Sequence, residues 1–329
     1  MGTKNEGVRP VIQAPPSVRT VFMGSPDFAV PFLSGLVDHA FNVVGVVTQP
    51  DRPKGRGQMV APSPVKEWAR KKGLPVVSPA SLRTPEGRSF LYEWFPDLIV
   101  VVAYGKILPE EVLAVPKWGC INVHASLLPK LRGASPIVWA IRNGETMSGL
   151  SLMLLDRGMD TGPVLEQLPI PLDPRETVPS LTRKMTDSGP GFLVSGLGKY
   201  LAGAIFPIPQ KKEGTLAPIL RKEDGLIPFG SSAAVVDAHV RAMNPWPGAF
   251  FFSSKGVIRV GSGRVAEEDS GGVPGMVLSQ GRPGIDVACG SGSYRIFSLQ
   301  REGGKMLPAG DFLAGHRFGE GEVFGRPPG

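Results

Sequence analysis

Apolar positions follow two different patterns along this chain. Between Arg19 and about Gly162, short β-rich apolar runs alternate with amphipathic stretches of helical spacing, the pattern of a doubly wound parallel sheet. Runs such as Val43 to Thr48 and Leu98 to Ala103 are apolar without strict alternation, as strands covered on both faces must be. Helices are predicted between them near Phe28 to Val37, Pro64 to Lys72, Pro109 to Val115 and Ile137 to Arg142. The first strand, Thr20 to Met23, runs into Gly24-Ser25-Pro26-Asp27, where Ser25 or Asp27 is expected to cap the next helix. That turn is not Gly-x-Gly-x-x-Gly, and no Gly-x-x-x-x-Gly-Lys-Ser/Thr occurs. The expected first domain is therefore Rossmann-like α/β without a nicotinamide or nucleoside-triphosphate site.

From about Leu201 to Lys222, Pro, Gly and basic residues replace the periodic pattern, as in a linker. A helix is predicted over Ala233 to Met243, followed by short strands punctuated by Ser253-Ser254-Lys255-Gly256, Gly281-Arg282-Pro283-Gly284 and Gly290-Ser291-Gly292-Ser293. Hairpin signals this close together suggest a small β-barrel. The organisation expected is a loose extension over 1–18, an α/β domain over 19–203, a basic linker over 204–222 and a barrel over 223–329. Pro228 removes a ladder donor and is expected to delay entry into the second domain. Phe250-Phe251-Phe252 is expected to fill the barrel core on one face and make a domain contact on the other, with base stacking as the alternative.

Composition narrows the class. With 329 residues, 42% of them hydrophobic and 20% charged, the chain is long and apolar enough for two cores. Cys120 and Cys289 stand far apart without metal-ligand spacing, so no metal is implied and a reducing cytoplasm is expected. No apolar stretch approaches the ~20 residues of a membrane span, and no membrane partner is expected. The formal net charge of +7 is concentrated: seven basic residues face two acidic ones between Asp51 and Lys72. Arg52, Lys54 and Arg56 alternate with Pro53, Gly55 and Gly57, giving a loop able to adapt to a phosphate backbone. A smaller cluster, Lys211, Lys212, Arg221 and Lys222, lies in the linker and suits RNA as well.

The candidate chemistry lies in Gly119-Cys120-Ile121-Asn122-Val123-His124-Ala125-Ser126-Leu127-Leu128-Pro129. In an extended chain Asn122 and His124 project to the same side. They pair an amide donor with an imidazole, which suits carbonyl or acyl transfer: one group for a developing oxyanion, the other for a proton. An isolated Asn-x-His more often satisfies backbone groups at a strand end. A second segment, Leu155-Asp156-Arg157-Gly158-Met159-Asp160-Thr161-Gly162, delivers a carboxylate to a Gly-rich loop. If its strand ran parallel to the first, the carboxyl ends of both would place Asp160 near His124; Asp before Thr-Gly otherwise caps a turn. His39, His239 and His316 have no such partners in sequence.

The stretch from Asn122 to Ile137, with Asp160-Thr161-Gly162, resembles the folate-dependent formyltransferases. The members acting on charged initiator tRNA also share Met23-Gly24-Ser25-Pro26-Asp27-Phe28-Ala29, Thr48-Gln49-Pro50-Asp51-Arg52-Pro53-Lys54-Gly55-Arg56-Gly57 and Asn244-Pro245-Trp246-Pro247-Gly248-Ala249. The resemblance runs from about Val21 to the last strands. It implies a barrel of the OB type, 10-formyltetrahydrofolate as donor and the methionine α-amine of charged initiator tRNA as acceptor; a monomer is expected. Asn122, His124 and Asp160 would be catalytic, Ser126, Leu127, Leu128 and Pro129 would hold the folate, and the Arg52-to-Arg56 loop would enter the tRNA acceptor arm. Gly133 would let its loop pass close to the ligand. Gln58-Met59 and Ile219 stand where relatives carry lysines, and Pro228-Phe229 replaces an Asp-Trp pair. The alternatives are a formyltransferase for an amino sugar nucleotide or glycinamide ribonucleotide, which has little use for the basic loop and barrel, and a non-catalytic RNA-binding protein.

Overall fold

The apolar runs of the N-terminal half become strands of one sheet in the computed structural model, which describes residues 17–54, 59–267, 271–319 and 321–325. The chain divides into two compact units that alternate along the sequence. The first comprises 1–132, 149–170 and 183–216, and the second 133–148, 171–182 and 217–329.

In the first unit, β1 (Arg19–Gly24) leads to α1 (Val30–Asp38) and β2 (Asn42–Val47). A hairpin of β3 (Arg52–Lys54) and β4 (Met59–Ala61) precedes α2 (Pro64–Lys71) and β5 (Val76–Val77). Then come α3 (Ser89–Trp94), β6 (Leu98–Val102), α4 (Glu110–Leu113) and β7 (Cys120–His124). After α5 (Pro136–Arg142), which belongs to the second unit, β8 (Met147–Leu154) and β9 (Val164–Pro171) complete the sheet in the order β5-β2-β1-β6-β7-β8-β9. The first five are parallel, as expected, and entirely buried strands such as β6 explain the unbroken apolar runs. β8 is antiparallel to β7, with Ser151 opposite His124 and Leu154 opposite Ile121.

The helix α6 (Val178–Leu201), for which no helix was predicted, runs through Gly189-Pro190-Gly191, residues that locally favour a break. Its interior glycines allow close packing instead: a Cβ on Gly189 would meet the Phe32 ring at 2.5 Å, and one on Gly196 would meet Leu152 at 2.6 Å. Leu181, Met185, Leu193, Leu197 and Leu201, four residues apart except where Gly189 intervenes, are buried, and each contributes about 1.5–3 kcal/mol by leaving water. Ser25 does not cap α1; its Oγ accepts from the backbone nitrogen of Gln49 at 2.9 Å, tying β1 to the segment that leads into the basic hairpin.

The second unit contains α5 packed on α7 (Ala233–Met243) and the strands β10 (Ala249–Ser253), β11 (Gly256–Val265), β12 (Val277–Gly281), β13 (Gly284–Ala288), β14 (Ser293–Arg301) and β15 (Leu307–Pro308), followed by α8 (Ala309–Gly315). They form an antiparallel sheet ordered β10-β11-β14-β13-β12, with β15 against β14. The stretch Val323–Gly325 bridges its two edges, pairing Gly325 with Phe252 and Val323 with Met276. Phe251 is fully buried and stacks on Phe324 at 4.0 Å, whereas Phe250 and Phe252 on the other face are half-buried. Pro228 does not delay entry: Leu226 already bridges Phe250, and Ile227 donates to Phe250 O at 2.8 Å. Phe229, just beyond it, is buried against Phe251.

Candidate active site

β7 supplies the first two groups because its alternation sets Asn122 and His124 on one face near its carboxyl end. Asn122 is half-buried, and its side chain has no hydrogen bond among the described residues. His124 is 6% exposed, and its Nε2 lies 2.9 Å from the carbonyl oxygen of Leu131. A carbonyl only accepts, so Nε2 carries a proton and Nδ1 is the atom left for proton exchange. Nδ1 faces Asp160 Oδ2 at 3.6 Å.

Asp160 reaches His124 by a route other than the expected one. Because β8 is antiparallel to β7, its end at Leu154 lies beside Ile121, and the loop joining β8 to β9 carries the carboxylate back. Asp156 performs the turn-capping role, its carboxylate accepting from Gly158 N and Thr161 Oγ1, both at 2.9 Å. Gly162 has no substitute here, since a Cβ would lie 1.9 Å from Leu154 O. Asp160 has φ +54°, a left-handed conformation costly for a residue with a side chain.

Ser126 to Pro129 form a loop held mainly through its backbone groups and the Ser126 hydroxyl. Ser126 is 1% exposed and its Oγ donates to Lys130 O at 2.6 Å, and the Leu128-Pro129 peptide is cis. Ser151, buried in β8, donates to Ser126 O at 2.6 Å and accepts from Leu128 N at 3.0 Å. Gln167 adds donations to Leu128 O at 2.9 Å and Ser151 Oγ at 2.8 Å. Neither supporting residue was singled out from sequence, though a Ser between Leu150 and Leu152 is a visible polar break in an apolar strand. At φ +120°, Gly133 admits Ala217 O, 2.7 Å from where its Cβ would be.

Cys120 opens β7 but has no part in nucleophilic chemistry. Burial pushes its thiol up to about 12, so it stays protonated at neutral pH. No group of His, Cys, Asp and Glu suited to a metal occurs among the described residues.

The basic candidates are placed separately. Arg52 is exposed and donates to Gln49 Oε1 at 3.2 Å, while Gln49 donates to Tyr104 O at 2.9 Å. Lys66, 8% exposed, pairs with Asp51 at 2.8 Å, so the approach to β3 is anchored. Arg56 and the Lys54 side chain lie outside the described residues. Lys211 and Lys212 are exposed in the first unit, and Arg221 and Lys222 are exposed in the second.

A family model described as formyl transferase matches residues 18–197, and one described as formyl transferase, C-terminal domain, matches 219–317. A methionyl-tRNA formyltransferase of Citrifermentans bemidjiense is 46% identical over 312 residues, covering 94% of this chain and 97% of that protein. One of Myxococcus xanthus is 46% identical over 304 residues, covering 92% and 96%. Among solved structures, HypX from Aquifex aeolicus in complex with tetrahydrofolic acid superposes with a TM-score of 0.62 at 19% identity, over 92% of this chain and 48% of HypX. The sugar 3N-formyl transferase WlaRD superposes with a TM-score of 0.60 at 18% identity, over 85% and 96%. At these identities the structural likeness concerns the fold.

Proposed function

This chain belongs to the formyl transferase family, and on that footing we propose that it transfers the formyl group of 10-formyltetrahydrofolate to the methionine α-amine of charged initiator tRNA. The observation that carries the reading is the His124-Asp160 pair, with Nδ1 turned to the carboxylate at 3.6 Å and Nε2 committed to a backbone carbonyl. The relatives that share nearly the whole chain support the acceptor.

The residues present fit a folate donor. Asn122 holds an amide with donor capacity beside the pair, and the loop Ser126 to Pro129 is fixed from behind by Ser151 and Gln167. When bound, the folate supplies the activated formyl carbon. Asn122 donates to the formyl oxygen as negative charge develops on it. His124 Nδ1 and Asp160 take the proton that the attacking amine loses, and the departing folate nitrogen receives one. One carbon–nitrogen bond forms and another breaks, with no side-chain nucleophile and no net proton change. Ser126, Leu127, Leu128 and Pro129 line the folate with backbone and apolar groups.

We assign the chemistry to the domain over 19–203, braced by the stretch 204–216 that belongs to the first unit, and tRNA contact to the barrel over 223–329. Arg52, Lys54 and Arg56 meet the acceptor arm, while Lys211, Lys212, Arg221 and Lys222 contact its phosphates. No helix of the described residues is long and apolar enough to cross a membrane; we place the protein in the cytoplasm as a monomer. The test offers labelled formyl donor with charged initiator tRNA, charged elongator tRNA and an amino sugar nucleotide. Transfer to initiator tRNA alone is expected, and transfer only to the sugar amine would overturn the assignment.

A further inference from the structure

Gln210 lies in a stretch whose sequence reads as linker, yet its side chain is fully committed inside the first unit. Its Oε1 accepts from Arg132 Nη2 at 2.8 Å and from Arg132 Nε at 3.1 Å. A guanidinium has no acceptor, so this contact fixes which end of the amide is oxygen. The two hydrogens of Nε2 then point to Asp160 O at 2.8 Å and Gly162 O at 2.7 Å. All four hydrogen-bonding positions of the amide are thereby used. Arg132 is held in turn by Lys211 O at 3.0 Å, from the same stretch of chain.

Five residues further on, Thr215 grips the other half of the site. Its Oγ1 accepts from Leu131 N at 2.9 Å and its carbonyl from Arg132 N at 2.9 Å. The Leu131 carbonyl is the group that fixes His124 Nε2. One strap, Gln210 to Thr215, therefore holds the backbone on which Asp160 sits and the backbone that orients His124.

We propose that Gln210 is a positioning residue for formyl transfer, holding Asp160 in its left-handed conformation so that its carboxylate meets His124 Nδ1. The inference rests on the reading that His124 and Asp160 handle the proton. Asp160 is the only residue of its loop that combines a side chain with positive φ among the described residues, and the two carbonyls on either side of Thr161 are the ones Gln210 clamps. Without the clamp the loop is free to relax toward ordinary φ. A displacement of ~1 Å at a reacting group costs on the order of 100-fold in rate.

The experiment compares Gln210→Met, Asp160→Asn and the double variant in single-turnover formyl transfer at saturating folate and charged tRNA, with tRNA affinity and melting measured alongside. Gln210→Met is expected to slow transfer ~10- to 100-fold, to change its pH profile, and to leave tRNA affinity within about twofold. In the Asp160→Asn background the same substitution is expected to have little further effect, because the two act through one group. Should Gln210→Met fail to fold, Gln210→Glu serves: it keeps an acceptor for Arg132 and removes both donors to the loop. An unchanged rate and pH profile, or full additivity with Asp160→Asn, overturns the positioning role. Asp160→Asn as fast as the parent instead overturns the underlying site reading, so the two failures are distinct.

Discussion

Ser151 and Gln167 meet behind the Leu128 peptide: the Gln167 amide donates to Ser151 Oγ at 2.8 Å and to Leu128 O at 2.9 Å. Ser151 is fully buried and serves three partners with one hydroxyl. Ser151→Ala leaves those partners unsatisfied and is expected to destabilise the fold by about 2 kcal/mol. Because the loop it braces is the proposed folate cradle, KM for the donor should rise more than kcat falls. Denaturant titration and donor-dependent kinetics check both; an unchanged KM in a destabilised variant would leave Ser151 a core residue only.

Asn122→Ala, His124→Ala and Asp160→Ala are each expected to raise the activation free energy by about 2 to 4 kcal/mol, the range for missing oxyanion donors and proton-transfer groups. Melting should change far less than turnover. Single-turnover rates within a factor of a few of the parent, in folded variants, would remove the catalytic assignment.

Lys211 and Lys212 are exposed while their carbonyls hold Arg132, so their ammonium groups can be removed without disturbing that interaction. Lys211→Ala with Lys212→Ala is expected to flatten the dependence of tRNA affinity on salt, by about 0.9 in the log–log slope for each duplex phosphate no longer neutralised. The Arg52/Lys54/Arg56 triple alanine variant should do the same while leaving donor hydrolysis unchanged. Slopes identical to the parent at several ionic strengths would make these residues merely solvated.

His239 is 1% exposed in α7, and burial lowers its pKa to about 4, with Arg142 adding in the same direction. The folded-state value lies below the unfolded one, so the unfolded chain binds the proton first. The neutral imidazole's contribution is therefore present above about pH 6.5 and is lost as pH falls toward 4. Between pH 7 and pH 5 this costs about 2 kcal/mol. His239→Leu should shrink the stability difference between those pH values by that amount in urea titrations. An undiminished difference would place the acid sensitivity elsewhere.

The parallel strands were legible because buried strands must be apolar throughout: Leu98–Val102 emerges as one strand, and its expected range ran one residue longer. The α6 helix was not, since local chemistry argues against a helix through Gly189-Pro190-Gly191 and only packing against Phe32 and Gly35 explains those residues. Asn122 and His124 could be paired from strand periodicity alone. The approach of Asp160 could not be derived that way, because the reversal of β8 is a property of the sheet rather than of any segment. Gln210 left no trace among Pro207, Ile208 and Pro209, as its partners Arg132 and Asp160 are 78 and 50 residues away. Pro228 misled in the opposite sense: it lacks a donor, but the pairing at that point uses the preceding residue's.

The strap from Gln210 to Thr215 changes where this protein can be cut, lengthened or spliced. A fragment ending at residue 203 would keep Asn122, His124 and Asp160 but lose the side chains that brace two of them. A hybrid joined after residue 216 would carry its own bracing with it. Inserted residues inside 210–215 would be felt at the reacting groups, whereas at 202–204, before Ile208 pairs with Val164, they would lengthen only an exposed turn.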